Sequence, residues 1–347
     1  MSASAGIHHV TAICRDPANN VAFYTGNLGL RMVKRTVNVD DPGSWHLYYG
    51  DEIGRPGTAL TFFAWGEQPA GRNGNGMAAE TAFVIPESSL GYWTQRLIER
   101  GIAHDAPEKR FGERVLPFRD ADGMRLALVA VKGADQIPGW SNGDVPAQHA
   151  LRGFRGVTLM VGAGEPTAEV LTAAFGFHAQ GREGHVVRYR AGGDDLGTVV
   201  DVRTAEGFLA GRQGTGSVHH VAFRAATDAA QAEMVATLKA QGLHPTGQID
   251  RCYFRSVYFR EPGGVLFEIA TEDPGFTVDE PKETLGAAIK LPPWLESRRA
   301  EIVAALPLWA SAGAAKRRFP LVTRLQDSFP ARTSQHAIVL RLHAGKE

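Results

Sequence analysis

At 347 residues, 44% hydrophobic and 21% charged, the chain has the balance of an ordinary globular protein of about two domains, which excludes disorder over its whole length. Lysine plus arginine and aspartate plus glutamate stand equal at 37 each, so the formal net charge is zero and nucleic acid and acidic membrane surfaces are excluded as expected partners. Two cysteines, Cys14 and Cys252, are too few for a disulfide framework or a Cys-based zinc site, and no stretch approaches the roughly 18 apolar residues that span a bilayer.

Met1 to Gly6 lacks the basic region and apolar core of an export signal, so a reducing cytoplasm is the expected location. The chain then runs four times through one pattern. In the first pass, Ile7 to Ile13 alternates as a strand, Pro17 to Gly26 reads as a short helix, and Arg31 to Val37, Trp45 to Gly50 and Thr58 to Ala64 read as strands. The second has a strand over Ala79 to Ile85, a helix from Leu90 to Arg100 ended by Gly101, and strands around Arg114 to Phe118 and Met124 to Val131. The third has Phe154 to Val161, a helix from Thr167 to Phe175, then His185 to Arg190 and Thr198 to Val202. The fourth has Ser217 to Arg224, a helix from Ala229 to Ala240, then Tyr253 to Arg260 and Val265 to Ala270.

The spacing therefore predicts an α+β fold of four βαβββ modules in two domains, residues 1–135 and 150–306. The Gly, Pro, Asn and Asp-rich stretch Lys132 to Pro146 marks the boundary. After Leu306 the composition shifts to Ala, Ser and the cluster Lys316 to Arg318, and residues 307–347 read as a poorly ordered tail.

One such module is a half-open sheet, and two must pair to close a cup. The modules differ in what they offer it. Module one opens Gly6-Ile7-His8-His9-Val10 and module four Ser217-Val218-His219-His220-Val221; modules two and three offer Ala82-Phe83 and Val157-Thr158 instead. On the last strands, aligned by the preceding turn, Phe62, Leu128, Asp201 and Glu268 share one column. An ionised carboxylate such as Glu268 inside Val265-Leu266-Phe267 and Ile269-Ala270 costs several kcal/mol unless it is paired or metal-bound. Two histidines and one carboxylate in a cup formed by modules one and four would leave about three open positions on an octahedral metal, the arrangement suited to Fe(II) oxygen chemistry. Asp201 has no matching histidine and reads as a hydrogen-bonded structural residue. Strict alternation lets one member of each His doublet face the cup, and does not say which.

These residues resemble the vicinal oxygen chelate superfamily (glyoxalases, bleomycin resistance proteins and extradiol dioxygenases). Within it they are most similar to the hydroquinone-cleaving dioxygenases, including the dichlorohydroquinone dioxygenase type and bacterial quinone-stress proteins. The likeness spans about Gly6 to Leu306 and is carried by Gly6 to Thr11, Val33 to Val37, His46 to Tyr49 with Asp51-Glu52 and Gly57-Thr58, Val218 to Phe223, Tyr258 to Glu268, and Leu291 to Glu296. It implies a vicinal oxygen chelate fold in both domains, with His9, His220 and Glu268 as metal ligands. It further implies His8, His219, Thr11, Arg251 and Tyr258 around the active site, Fe(II) as the cofactor with Mn(II) as the alternative, and a small aromatic substrate with O2 as partners. A homo-oligomer is compatible with this reading. Arg251 would stabilise charge on a substrate oxygen, Tyr258 would hydrogen-bond the substrate, and a neighbouring histidine would move protons.

Two other readings use the same scaffold. A metal-dependent glyoxalase or epimerase would close its metal site with a fourth protein ligand, against which Phe62 stands. A resistance protein would sequester a small molecule without metal.

Overall fold

A computed structural model describes residues 3–141, 143–193 and 196–307; apart from Pro307, the segment read as a tail lies outside them. Each module contributes four strands. They are β1 (Ile7–Cys14), β2 (Arg31–Asn38), β3 (Asp41–Gly50) and β4 (Ala59–Ala64); β5 (Met77–Pro86), β6 (Glu108–Arg110), β7 (Glu113–Arg119) and β8 (Arg125–Val131); β9 (Phe154–Val161), β10 (His178–Glu183), β11 (Val186–Arg190) and β12 (Val199–Thr204); β13 (Ser217–Ala225), β14 (Ile249–Asp250), β15 (Arg255–Arg260) and β16 (Leu266–Thr271). The helix after each first strand is α1 (Pro17–Val21), α2 (Leu90–Glu99), α3 (Glu165–Glu169) or α4 (Asp228–Ala240). The first and third continue as π-helical turns over Ala22–Asn27 and Val170–Ala174.

Gly101, with φ +63°, ends α2 in the left-handed conformation, and the Ile102 amide closes back on the Leu97 carbonyl at 2.9 Å. That is the arrangement by which a terminal glycine satisfies orphan helix carbonyls.

The strands form two curled eight-stranded sheets of order β14-β15-β16-β13-β1-β4-β3-β2 and β10-β11-β12-β9-β5-β8-β7-β6. Modules one and four thus make the first sheet and modules two and three the second, joined through the antiparallel pairs β1–β13 and β5–β9. Each sheet takes one module from each half of the chain. One continuous apolar core runs through both sheets and the helices, whereas a smaller cluster, including Tyr48, Ala59, Ala222, Phe254 and Phe276, belongs to the first sheet alone.

The second sheet is knitted by charge. Asp201 accepts both Nε and Nη2 of the buried Arg188 at 2.8 Å, and Arg188 Nη1 also donates to Glu113 at 2.7 Å. Asp201→Ala is expected to destabilise the fold by about 3 kcal/mol, near the lower end for breaking a buried pair because Glu113 remains. Urea unfolding checks this, and metal content is expected to stay unchanged, since the metal-type residues lie in the other sheet.

Beyond β16 the chain turns back over module one. Fully buried Lys34 on β2 donates to Asp279 at 2.6 Å and Glu280 at 2.5 Å, the Lys290 amide donates to the Arg35 carbonyl at 2.9 Å, and Phe276 packs on Tyr48 with ring centroids 5.1 Å apart. A 3-10 helix over Pro293–Arg298 and helix α5 (Arg299–Ala305) follow.

Candidate metal centre

The centre grows out of how β1 and β13 pair. Thr11 lies opposite His220 and His9 opposite Ala222, so the two second histidines are diagonal neighbours across the seam between modules. The register slips twice in this short pairing: β1 spends an extra residue at His8, and β13 spends one at His219. A bulge of this kind leaves one residue unpaired and re-aims the side chains around it.

Strict alternation, which lets only one of each doublet reach the cup, therefore fails at these two places. His8 Nδ1 lies 2.9 Å from His9 Nδ1, and His219 Nδ1 lies 2.8 Å from His220 Nδ1. Both rings of the first doublet contact Phe254, at 5.1 and 4.9 Å, and His219 packs edge-on against Phe63 and Trp65.

With their Nδ1 atoms engaged, the second histidines turn their Nε2 atoms toward each other, 3.3 Å apart. Glu268 on β16, opposite Ala222, brings Oε2 to 2.9 Å from His220 Nε2 and 3.3 Å from His9 Nε2. Its other oxygen, Oε1, accepts from Ser256 Oγ at 2.5 Å. The three form a buried cluster whose donor atoms all lie within 4.8 Å of one another, the one metal-type group of this kind among the described residues. Glu268 Oε2 is buried without an aligned hydrogen bond, although two imidazole nitrogens stand beside it. Two imidazole nitrogens and a carboxylate oxygen gathered about one point, the oxygen left without an aligned hydrogen bond, are what a divalent ion requires, and two neutral imidazoles with one carboxylate suit a first-row metal. The residues present fit such an ion.

The electrostatics favour a neutral nitrogen donor at His220. Burial above all holds His220 below the ordinary histidine value, against the pull of Glu268, and burial with His9 holds His8 well below it. Burial alone would push the Glu268 carboxyl up, but the imidazoles of His9 and His220 hold it well below the usual carboxylate range.

Tyr258 lies opposite Glu268 in the β15–β16 pairing, with its ring 5.7 Å from that of His220. Its hydroxyl accepts from Arg251 Nε at 3.2 Å, and Arg251 Nη2 donates to Asp40 at 3.0 Å. Burial raises the Tyr258 phenol despite the Arg251 charge, so it keeps its proton. The turn that delivers Arg251 passes through Cys252 at φ +70°, uncommon for a residue with a side chain, and seats Phe254 against His8 and His9. Thr11, fully buried, turns its hydroxyl to Thr61 at 2.8 Å.

One alignment needs correction. Glu268 pairs with the residue two beyond His220, and the residue paired two beyond His9 is Thr61, not Phe62. By the same pairing the second-module counterpart is Ala127, opposite Ala82, rather than Leu128, and the residues that stand where His220 and His9 stand are Glu80 and Gly156, so the first-strand column of Ala82-Phe83 and Val157-Thr158 is misaligned as well. A slip of one residue moves a strand position to the opposite face, and Phe62 indeed packs into the main core against Tyr24, 4.7 Å away. Thr61 is no carboxylate either, so the first module still offers no fourth ligand. Sequence reasoning missed Asp40, His46, Tyr48, Thr61, Phe254 and Ser256; the alternation His46, Tyr48 along β3 was the readable sign for two of them.

The sequence model of the Glyoxalase/Bleomycin resistance protein/Dioxygenase superfamily matches residues 6–128 and 153–269. A Bacillus subtilis (strain 168) protein named as a ring-cleaving dioxygenase, MhqO, is 42% identical over 297 residues, covering 86% of this chain and 94% of that one. A chlorohydroquinone/hydroquinone 1,2-dioxygenase of Sphingobium indicum is 34% identical over 308 residues, 86% of this chain and 94% of that one. A crystal structure of a B. subtilis protein described as a dioxygenase superposes with a TM-score of 0.84 at 39% identity, covering 90% of this chain and 99% of that one. With the paired βαβββ modules and both repeats matched, the chain belongs to the Glyoxalase/Bleomycin resistance protein/Dioxygenase superfamily, the vicinal oxygen chelate fold, and is similar to relatives named as ring-cleaving dioxygenases.

Proposed function

We propose that the protein is a ring-cleaving dioxygenase that inserts both atoms of O2 into a hydroquinone-type ring at a single Fe(II) ion held by His9, His220 and Glu268. The observation that carries this reading is the convergence of two imidazole Nε2 atoms and one carboxylate oxygen with no fourth protein donor among the described residues, which suits an ion that must also receive substrate and O2. The substrate class draws support from the relative named for chlorohydroquinone and hydroquinone.

When bound, Fe(II) supplies the Lewis acidity and electron transfer that oxygen activation needs. The chain's own residues do the rest. A ligating Nε2 requires the proton of His9 and of His220 on Nδ1, so each donates that hydrogen to the Nδ1 of His8 or His219, which fixes tautomer and ring direction. Ser256 holds the Glu268 carboxylate from its far oxygen. Arg251, anchored by Asp40, and the protonated Tyr258 hydroxyl present positive charge and a hydrogen bond to ring oxygen beside the ion. Phe254, Tyr48 and Phe276 supply the apolar wall that a flat ring needs.

The test is anaerobic loading with Fe(II), followed by oxygen uptake with hydroquinone, catechol and a methylglyoxal–thiol adduct in parallel. Hydroquinone is expected to drive the fastest uptake, with one O2 consumed per ring opened. Conversion of the adduct without oxygen would move the protein to the glyoxalase class, and tight ring binding without metal or turnover would make it a sequestering protein.

A further inference from the structure

The concave face of the first sheet carries a polar row whose hydrogen bonds have no part in the reaction above. His46 on β3, Thr61 on β4 and Thr11 on β1 follow one another across adjacent strands: His46 Nε2 is 3.0 Å from Thr61 Oγ1, which is 2.8 Å from Thr11 Oγ1. The Tyr48 hydroxyl, two residues along β3, is 3.0 Å from His46 Nδ1. Thr11 is the register partner of His220 and lies two residues from His9, so the row begins beside the metal-type residues and ends on a phenol.

Two observations set this row apart from ordinary core packing. The neighbouring small and large residues on this face, Val33, Ala59, Ala222, Phe254 and Ala270, are apolar, and buried hydroxyls among them cost free energy that valine or phenylalanine would avoid. Thr61 also stands at the first-module position that corresponds to Glu268, where the fold offers a place for a ligand and the sequence supplies a hydroxyl instead.

We propose that the row is a proton relay: the proton released when a hydroxylated ring binds at His9, His220 and Glu268 passes through Thr11 and Thr61 to His46. This rests on the metal-dependent reading of that site. The substrate O–H bond breaks with its electron pair left on the ring oxygen. Thr11 Oγ1 takes the proton as it gives its own to Thr61 Oγ1, and Thr61 gives its own to His46 Nε2. His46 Nδ1–H meanwhile donates to the Tyr48 hydroxyl and spreads the new charge. Every member of the series has one donor and one free acceptor in that direction, and no oxidant or further reactant is needed. Burial above all keeps His46 well below the usual histidine range, so it is a free base at neutral pH, and because it is half-buried rather than closed off it hands the proton it accepts to water.

Fe(II)-loaded parent, His46→Gln, Thr61→Val, Thr61→Ser and the double variant His46→Gln/Thr61→Val test this. The glutamine amide retains hydrogen bonding but accepts no proton. His46→Gln and Thr61→Val are expected to keep about one metal per chain, as the parent does, and a KM for hydroquinone within about twofold, while kcat falls about a hundredfold. On anaerobic mixing, the rise of hydroquinonate absorbance is expected to slow by a similar factor, a readout independent of turnover. Thr61→Ser, which keeps the hydroxyl, recovers most of the rate, added imidazole partly rescues His46→Gln, and the double variant is no slower than the worse single one because the groups act in series. Single variants as fast as the parent, losses that multiply in the double variant, or loss of metal in both singles would each overturn the relay. A parent that takes up no oxygen with hydroquinone instead overturns the substrate reading, and the relay with it; an active parent with unimpaired variants overturns the relay alone.

Discussion

Glu268→Gln is expected to purify with less than about a tenth of the metal of its parent and to show no measurable oxygen uptake with any ring substrate, because a neutral amide replaces the single charge in a three-donor site. Glu268 is fully buried, and its Oε2 has no aligned hydrogen bond to lose. The fold should survive, since an amide oxygen can still accept from Ser256. His9→Ala and His220→Ala are expected to do the same by deleting one Nε2 each. Replacement of His8 or His219 should act more gently: the ligand ring remains but loses the Nδ1 partner that orients it, at a cost of about ten- to a hundredfold in metal affinity. Metal analysis after dialysis against a chelator, with circular dichroism as the folding control, checks the series. Full metal occupancy in Glu268→Gln would remove this residue from the site.

The two His doublets and the carboxylate stranded in an apolar strand were legible because they break the pattern that surrounds them. Their positions in modules one and four also announced which modules share a sheet, since candidate ligands for one ion must meet. What alternation could not supply was the pair of bulges at His8 and His219, because a bulge is an exception to the period of two on which any strand reading rests. The slip that put Phe62 in the column of Thr61 came from aligning the last strands by the turn before them, which differs in length between modules one and four. Strand β10 escaped notice for another reason: all of His178–Glu183 is exposed, so it has no buried face to alternate with a polar one. Lys34 with Asp279 and Glu280 joins residues about 245 positions apart, and nothing local to Val33-Lys34-Arg35 distinguishes a buried lysine from a solvated one. His46 lay within a segment that resembles the family, yet its partners Thr61 and Thr11 come from two other strands, and only the register brings them together.

Tyr258→Phe is expected to slow hydroquinone turnover about a hundred- to a thousandfold, the loss typical of deleting one pre-aimed hydrogen-bond donor, while leaving metal content unchanged. The phenol faces the same side of the sheet as Glu268, in the strand beside it, and burial keeps it protonated. A para-hydroquinone engages the ion through one oxygen, so protein groups must hold the developing charge; a catechol uses two metal positions and depends less on them. The geometry makes Tyr258 and Arg251 one unit, because Arg251 Nε donates to the phenol oxygen and the guanidinium is fixed by Asp40 on the far side of the cup. Arg251→Lys should therefore lose much of the same rate, since a lysine ammonium cannot span the phenol and Asp40 with a planar fork. The double variant Arg251→Lys/Tyr258→Phe should be little worse than the more damaging single substitution. Steady-state oxygen uptake with hydroquinone and catechol, normalised to bound metal, measures all three proteins. A Tyr258→Phe enzyme as fast as its parent removes the phenol from the chemistry, and a parent that opens catechol faster than hydroquinone shows that the cup was built for a chelating ring.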